Sequence, residues 1–496
     1  MIWLLLIAGC PWVDESTHAA SFDRDGDGVS WPDDCDDEDP VRAPDNVEVC
    51  GDGVENDCED GAPDCGLAGE IDPAALPLRY DGATSSRFGW SVAAGDDVDG
   101  DGVEDVLVGA PGEEGDAGRI HVLFGPVDDP DDLETTAGDL SDPTGEDYLG
   151  YAVALPGDLD GDGAGDLAFG SPSHDVGGED SGRVDFYMGP MERVPDPRAD
   201  TWWFAFSEPG ALAGYRVTGG GDVDGDGLPD VVTGMPGYAA AATYGGGAAV
   251  SAWDPDRGQV TIGAPIRGTV EDQGLGTGVA ILRDYDGDGI SDVAVGGGGA
   301  VSTGQASAGV LLLFLGPLEG DQESEDADVS IPGDRAGDHL GTAVAAVGDT
   351  DGDGLDDLIV GAVGAGRAWV LGAGARDDLG EAIVRADGPE GEATGEEVFA
   401  AGDMDADGVP DAVVSAMEMG VSKAWILPGS ARGTVDLDTG ATRMAGTRGA
   451  YFGRGASPAG DLDGDGAPDL LVGAPFDAST GVVTGAVYLV PGAPGL

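Results

Sequence analysis

The pattern Asp-x-Asp-x-Asp-Gly-x-x-Asp occurs seven times after residue 90, beginning at Asp97, Asp158, Asp222, Asp284, Asp349, Asp403 and Asp461. The steps between copies are 61, 64, 62, 65, 54 and 58 residues. Such a period marks a fold assembled from one repeated unit, because each unit alone is too small to bury a core and must stack on its neighbours. Two further markers keep register. A glycine stands eight residues before each first aspartate: Gly89, Gly150, Gly214, Gly276, Gly341, Gly395 and Gly453. An apolar run follows each loop, as in "VLVGAP", "LAFGSP", "VVTGMP" and "LLVGAP".

Each unit reads as short strands. In the first, "WSVAAG", "DVLVGAP" and "GRIHVLFGP" are apolar or β-branched runs bounded by Gly and Pro. No segment holds a helical period. A fourth strand fits the variable stretch, as at "ATRMAG" (Ala441–Gly446). Four strands in about 60 residues suit a propeller blade, so the expectation is an all-β, seven-bladed β-propeller. The last unit stops after its third strand, and "LPLRY" (Leu76–Tyr80) precedes the first. That segment is expected to supply the outer strand of the seventh blade, closing the ring and removing an open edge.

The loops carry the chemistry. In the first, Asp97, Asp99 and Asp101 hold positions 1, 3 and 5, Val103 offers a backbone carbonyl at position 7, and Asp105 adds a carboxylate at position 9. The second has Asp158, Asp160, Asp162, Ala164 and Asp166 in those places, and the third Asp222, Asp224, Asp226, Leu228 and Asp230. The fourth has Asp284, Asp286, Asp288, Ile290 and Asp292; the fifth has Asp349, Asp351, Asp353, Leu355 and Asp357. The sixth has Asp403, Asp405, Asp407, Val409 and Asp411; the seventh has Asp461, Asp463, Asp465, Ala467 and Asp469. Ca²⁺ takes six to eight oxygen ligands, and this spacing turns several carboxylates towards one point, with glycine at position 6 for the sharp turn. Mg²⁺ keeps its waters and demands strict octahedral geometry. Zn²⁺ prefers Cys and His, which the loops lack. About seven Ca²⁺ ions are expected in the repeats.

The formal net charge is −76 over 496 residues, and Lys423 is the single lysine. Phosphate backbones need Lys and Arg, so nucleic acid is excluded as a natural partner. With 41% hydrophobic residues the chain has too much apolar material for a disordered acidic tail.

These residues resemble the FG-GAP repeats of integrin alpha subunits. The resemblance rests on Phe88-Gly89 with Gly109-Ala110-Pro111, and on Phe452-Gly453 with Gly473-Ala474-Pro475. The other units keep the glycine but replace Phe with Leu149, Ala213, Leu275, Leu340 and Thr394. It covers residues 76–496 and implies a seven-bladed propeller with calcium in the loops between the first two strands of each blade. All seven loops are complete here, as in bacterial FG-GAP proteins. No segment reads as an inserted ligand-binding domain, leg domains or a membrane helix, so pairing with a beta subunit does not carry over.

The N-terminus, "MIWLLLIAGC", is apolar but too short to span a bilayer. Ile7-Ala8-Gly9-Cys10 resembles a bacterial lipobox, in which cleavage leaves the cysteine as the lipid-bearing residue; the departure is a leader without Lys or Arg. Residues 1–9 therefore read as a lipoprotein-type signal peptide, 10–20 as a linker, 21–66 as an acidic Cys-rich module, 67–75 as a second linker and 76–496 as the propeller. In the module, Asp23, Asp25, Asp27, Val29 and Asp34 form another cation loop without helical flanks, and Cys35, Cys50, Cys58 and Cys65 suggest two disulfides in any of three pairings. The module resembles acidic Cys-containing metal-binding motifs of secreted proteins and thrombospondin type 3 repeats; one or two further Ca²⁺ ions are expected there.

His18, His121, His174 and His339 have no nucleophile motif beside them, and the Gly-rich turns lack the lysine of a phosphate loop. No enzyme is expected. Trp202, Trp203 and Phe204 are expected to fill space between blades, with an exposed sugar-binding platform as the alternative. The functional expectation is a monomeric, calcium-binding adhesion or binding protein at the cell surface, outer membrane or outside the cell. Its partner is an extracellular protein or matrix, and its membrane contact is through lipid alone. The alternatives are a lectin-like glycan-binding module and, further off, a calcium-dependent hydrolase or lyase of surface polymers.

Overall fold

A computed structural model describes residues 69–76, 78–125, 137–141, 147–191, 201–239, 241–299, 308–318, 320–375, 378–417, 420–462 and 467–492. Cys10, the module loop Asp23–Asp34, the four module cysteines, Asp463 and Asp465 lie outside them.

Seven sheets follow one another along the chain, each built on four antiparallel strands, with a fifth, parallel strand in three of them. In blade 1 the strands are Ser91–Asp96, Asp105–Ala110, Arg119–Leu123 and Ala137–Ser141, paired in order. Blades 2 to 6 repeat that order. The first strands touch their neighbours in a ring that closes where Ala456–Pro458 of blade 7 meets Ser91–Asp96 of blade 1. The fold is a seven-bladed β-propeller.

Blade 7 takes three strands from the C-terminal end of the chain and its outer strand, Leu78–Asp81, from the start of the propeller. Leu78–Asp81 pairs antiparallel with Ala486–Val490. This is the clasp expected from "LPLRY". Asp477, 1% exposed, fastens it. Its carboxylate accepts from Ser479 N at 2.8 Å, Ser479 Oγ at 2.7 Å, Tyr488 Oη at 3.0 Å and Arg79 Nη2 at 3.1 Å.

The second strand of each blade is buried on both faces, as in Asp105–Ala110 and Asp357–Ala362. This accounts for continuous apolar runs rather than alternation. The core lies largely between blades: Leu107, Ile120 and Phe124 of blade 1 pack with Val153, Leu167 and Phe169 of blade 2. Blades 3 and 4, 5 and 6, and 7 and 1 are joined in the same way.

The two glycine markers are the two sides of one contact. Gly150, with φ of +81°, opens blade 2 against Gly109 in the second strand of blade 1. A methyl group on Gly109 would lie 2.0 Å from the Gly150 carbonyl oxygen. Such backbone-to-backbone approach leaves no room for a side chain. At the closing interface Gly473 meets Gly89 in the same way. Blade 6 has Ser415 in place of the second glycine, and its Oγ donates to the Gly453 carbonyl at 2.8 Å.

Candidate metal centres

Every acidic loop joins the first and second strands of its blade. In the first loop the Asp97 carboxylate accepts from three backbone amides: Gly100 at 2.7 Å and Asp101 at 3.0 Å to Oδ1, and Gly102 at 2.8 Å to Oδ2. Asp99 Oδ1 accepts from Asp101 N at 3.1 Å, and Asp101 Oδ1 from Val103 N at 2.9 Å. The same scheme recurs at Asp158, Asp222 and Asp349. Each carboxylate thus first orders its own turn, using a lone pair and leaving others for a cation.

The position 9 aspartate has a second task. Asp105 is fully buried. Its Oδ2 accepts from Val98 N and its Oδ1 from Gly125 N at the end of the third strand, both at 2.8 Å. Asp166, Asp292, Asp357, Asp411 and Asp469 make the same two-sided clip. Asp230 holds Val223 N and Asp224 N instead. The clip ties loop, second strand and third strand together, a role that the spacing alone did not reveal.

The carboxylates converge. Oxygens of Asp97, Asp99 and Asp101 lie within 4.8 Å of one another, as do those of Asp349, Asp351 and Asp353. In blades 2, 3 and 4 the convergent sets use position 9: Asp158, Asp160 and Asp166; Asp222, Asp224 and Asp230; Asp284, Asp286 and Asp292. With metal–oxygen distances of 2.3–2.6 Å, ligands on opposite sides of Ca²⁺ stand about 5 Å apart, so the spacing of these oxygens is compatible with a shared cation of that size.

Electrostatics points the same way. No Lys or Arg falls within any of the seven loops. Burial, reinforced by the neighbouring loop carboxylates, pushes Asp105 and Asp292 up to about 6, Asp166 and Asp230 to about 7, and Asp411 to about 8. Asp357 is also raised, chiefly by burial. Buried carboxylates without a cation are costly in their charged form.

The sixth loop departs from the rest. Its position 4 is Ala406, held at φ of +57°, where loops 1 to 5 have Gly100, Gly161, Gly225, Gly287 and Gly352. Asp403 Oδ1 is buried there without a hydrogen-bond partner. An orphaned anionic oxygen aimed into an acidic loop suits a cation.

Sequence reasoning missed the mouth of the central channel, a cavity of about 720 Å³. Glu397 of blade 6, about 5% exposed, bridges two arginines from other blades. Arg216 of blade 3 reaches both of its oxygens, at 2.6 and 2.7 Å, and Arg454 of blade 7 reaches Oε1 at 2.5 Å. The Arg454 guanidinium lies 4.6 Å from the Trp90 ring centre and 5.8 Å from that of Tyr151. Burial, then the charge of Glu397, pushes neighbouring Glu396 up to about 7. The available signal was positional: these residues sit one or two places after the marker glycines.

The aromatic expectation holds only in part. Phe204 packs inward, 5.8 Å from Phe186, but Trp202 and Trp203 are 37% and 52% exposed. His121 is half-buried, its Nε2 2.9 Å from Glu113 Oε2. His339 Nδ1 meets the Gly298 carbonyl at 2.8 Å.

Fold and loops together define a seven-bladed propeller with acidic inter-strand turns. Comparison with known proteins gives that class its repeat: the FG-GAP repeat matches residues 88–123, 340–371 and 452–490. The chain is 33% identical to integrin alpha-5 of Xenopus laevis over 177 residues, 33% of this chain and 16% of that protein. It is 32% identical to integrin alpha-IIb of Mus musculus over 168 residues, 32% of this chain and 16% of that protein. With integrin alpha-PS2 of Drosophila melanogaster it shares 33% over 161 residues, 30% of this chain and 11% of that protein. The matched stretch is therefore a small part of each relative's length. The protein is a seven-bladed β-propeller whose blades 1, 5 and 7 match the FG-GAP repeat.

Proposed function

We propose that this is a calcium-binding propeller at the cell surface or outside the cell, which binds an extracellular protein or matrix partner in adhesion. The observation that carries the reading is the convergence of three carboxylates within 4.8 Å in loop after loop, on turns already ordered by their own backbone amides. In each loop the carboxylates at positions 1, 3, 5 and 9 and the carbonyl at position 7 would hold Ca²⁺, which supplies the positive charge that the buried position 9 carboxylate lacks. The ions act on structure: they pin the first strand to the second, and through the position 9 clip to the third. Similarity to integrin alpha subunits supports extracellular ligand binding as the task of the propeller, in preference to catalysis.

Anchoring belongs to the same reading. Among the described residues no helix is long and apolar enough to cross a membrane. A lipid on Cys10, a calcium loop at Asp23–Asp34 and two disulfides among Cys35, Cys50, Cys58 and Cys65 complete the proposal.

The test is calcium per chain on purified protein lacking residues 1–10, with its melting temperature with and without chelator. Seven to nine tight ions and a large loss of stability on chelation support the reading. An absence of bound calcium, with unchanged melting, overturns it.

A further inference from the structure

Among the described residues no strand lies outside Thr201–Phe204, the outer strand of blade 2, whereas three other blades carry one. In three blades a short parallel strand lies outside the fourth: Gln322–Glu323 on blade 3, Gly433–Asp436 on blade 5 and Gly69–Ile71 on blade 6. Each comes from the segment that precedes the fourth strand of the next blade. Each then runs into a one-turn helix with an acidic residue at its N-cap: Ser324–Asp326 after Glu323, Leu437–Gly440 after Asp436, and Pro73–Ala75 after Asp72. On blade 4 a similar turn from blade 5, Leu379–Glu381, packs Leu379 into the cluster that holds Val329 and Ile331. On blades 3, 4, 5 and 6 the cover thus comes from the next blade.

For blade 2 the covering segment would have to come from blade 3. There the third and fourth strands, Gly247–Asp254 and Gln259–Arg267, are joined by a tight hairpin. The amides of Arg257 and Gly258 bond back to the Asp254 carbonyl at 3.1 and 2.8 Å. The four residues between the strands are consumed by the turn. Among the described residues the sheet ends at Thr201–Phe204.

Exposed edges are normally blunted by charge, proline or glycine, because unpaired amides and carbonyls invite another strand. The outer strand of blade 7 contains Arg79 and Asp81, that of blade 1 contains Gly138 and Asp139, and that of blade 4 ends in Pro332. Thr-Trp-Trp-Phe has none of these devices. Its two tryptophans are exposed, and Trp203 is held in place: the Arg183 guanidinium lies 4.9 Å from its ring centre, and Arg183 is paired with buried Asp185, which sits opposite Trp203 in register.

We propose that Thr201–Phe204 is a docking strand. An extended segment of a partner protein adds alongside it in parallel, in the place that the chain's own short strands take on blades 3, 5 and 6, and lays alternate side chains against Trp202 and Trp203. Charge selects the segment. Two of the internal covers bring an acid to an arginine beside the fourth strand, as Glu70 to Arg443 at 2.8 Å and Asp321 to Arg267 at 2.7 Å. Blade 2 offers no cation on this strand itself; Trp202 and Trp203 present aromatic faces, Arg183 lying over the Trp203 ring, on a chain of net charge −76. The matching segment is therefore uncharged or basic, and a second copy of the same acidic chain is repelled. This surface needs no metal, so it stands or falls separately from the calcium reading.

The experiment uses the full chain and an end-blocked nine-residue peptide of alternating Val and Thr with Lys at both ends. Hydrogen exchange and tryptophan emission are followed in calcium and in chelator. The expected result is fast exchange of the outward amides of 201–204 in the free protein, slowed about tenfold by the peptide under both conditions. Trp202→Ala with Trp203→Ala should weaken binding at least tenfold without changing the melting temperature, and a peptide with Pro at its central positions should not bind. Protection of 201–204 already present in the free protein overturns the proposal, and sedimentation then says whether a second copy provides it. Absence of protection there at millimolar peptide overturns it as well.

Discussion

Replacing Asp477 by Ala tests how the ring is held shut. The carboxylate is buried and takes two hydrogen bonds from Ser479, one from Tyr488 and an ion pair from Arg79. Removing one member of a buried charged pair costs about 3–5 kcal/mol, because the partners stay buried without compensation. Arg79 is one quarter exposed and keeps Asp81 at 2.5 Å, which argues for the lower end, about 3 kcal/mol. The compact unit runs from Leu67 to Ala493. At roughly 2 cal/mol/K per residue its unfolding entropy is about 0.9 kcal/mol/K, so Tm should fall by about 3 °C if the ring melts as one. Denaturant titration and hydrogen exchange on Leu78–Asp81 are the assays; exchange should accelerate there first. Acid gives a second readout. Burial alone would raise the Asp477 carboxyl, but the Ser479 bonds and the Arg79 charge hold it below the usual carboxylate range. Its contribution is therefore present above the unfolded value near 3.9 and is lost as pH falls through the lower folded value. Asp477→Asn should remove that acid-sensitive step. A loss under 0.5 kcal/mol, or unchanged exchange in the clasp strand, would refute the reasoning.

Three further outcomes are expected. Gly473→Ala puts a methyl group 2.0 Å from the Gly89 carbonyl oxygen at the closing interface, and should cost about 3 kcal/mol in denaturant unfolding. Ala406→Gly relieves a left-handed alanine in the sixth loop; the conformational gain of 1–2 kcal/mol, less the entropy of glycine, leaves about 0.5–1 kcal/mol of added stability. In chelator, Asp105, Asp166, Asp230, Asp292 and Asp411 have folded values of about 6 to 8, above their unfolded value. Their contribution is then full below pH 4 and is lost as pH rises to 8; excess calcium, which favours the charged form, should reverse the slope of Tm against pH.

The repeat made the propeller legible because three sequence markers each answer to one structural need. The aspartates order a turn, the glycine before the first strand lets blades approach, and the apolar run fills a strand buried on both faces. "LPLRY" was legible because the last unit lacked an outer strand. The clip by Asp105 and its counterparts was not, since a carboxylate nine places into a loop reads the same whether it faces a cation or the amide of Gly125. Glu397 was hidden for a different reason. Its partners, Arg216 and Arg454, are 181 and 57 residues away, and only the closed ring brings blades 3, 6 and 7 to one axis. Trp202 and Trp203 were expected inside because aromatic content suggests burial, whereas both lie on the outer strand of blade 2 and are exposed.

The ring is fastened at two radii by the same kind of device. At the rim, Asp477 gathers Arg79 from the clasp strand Leu78–Asp81 onto the last blade; at the axis, Glu397 gathers arginines from two other blades. Both are buried acids in a chain with few cations, and each cation there is taken up by a long-range pair. The acidic loops have no such partner within their own sequence. Twenty-eight motif aspartates in seven loops leave these turns dependent on a counter-charge from outside the chain, while the inter-blade contacts rest on glycine approach, apolar packing and a few polar pairs such as Glu397 with Arg216 and Arg454. Loss of calcium should therefore loosen the turns and the clips they carry before it separates the blades, and exchange at Val98 and Gly125 should rise in chelator ahead of exchange in the second strand, Asp105–Ala110.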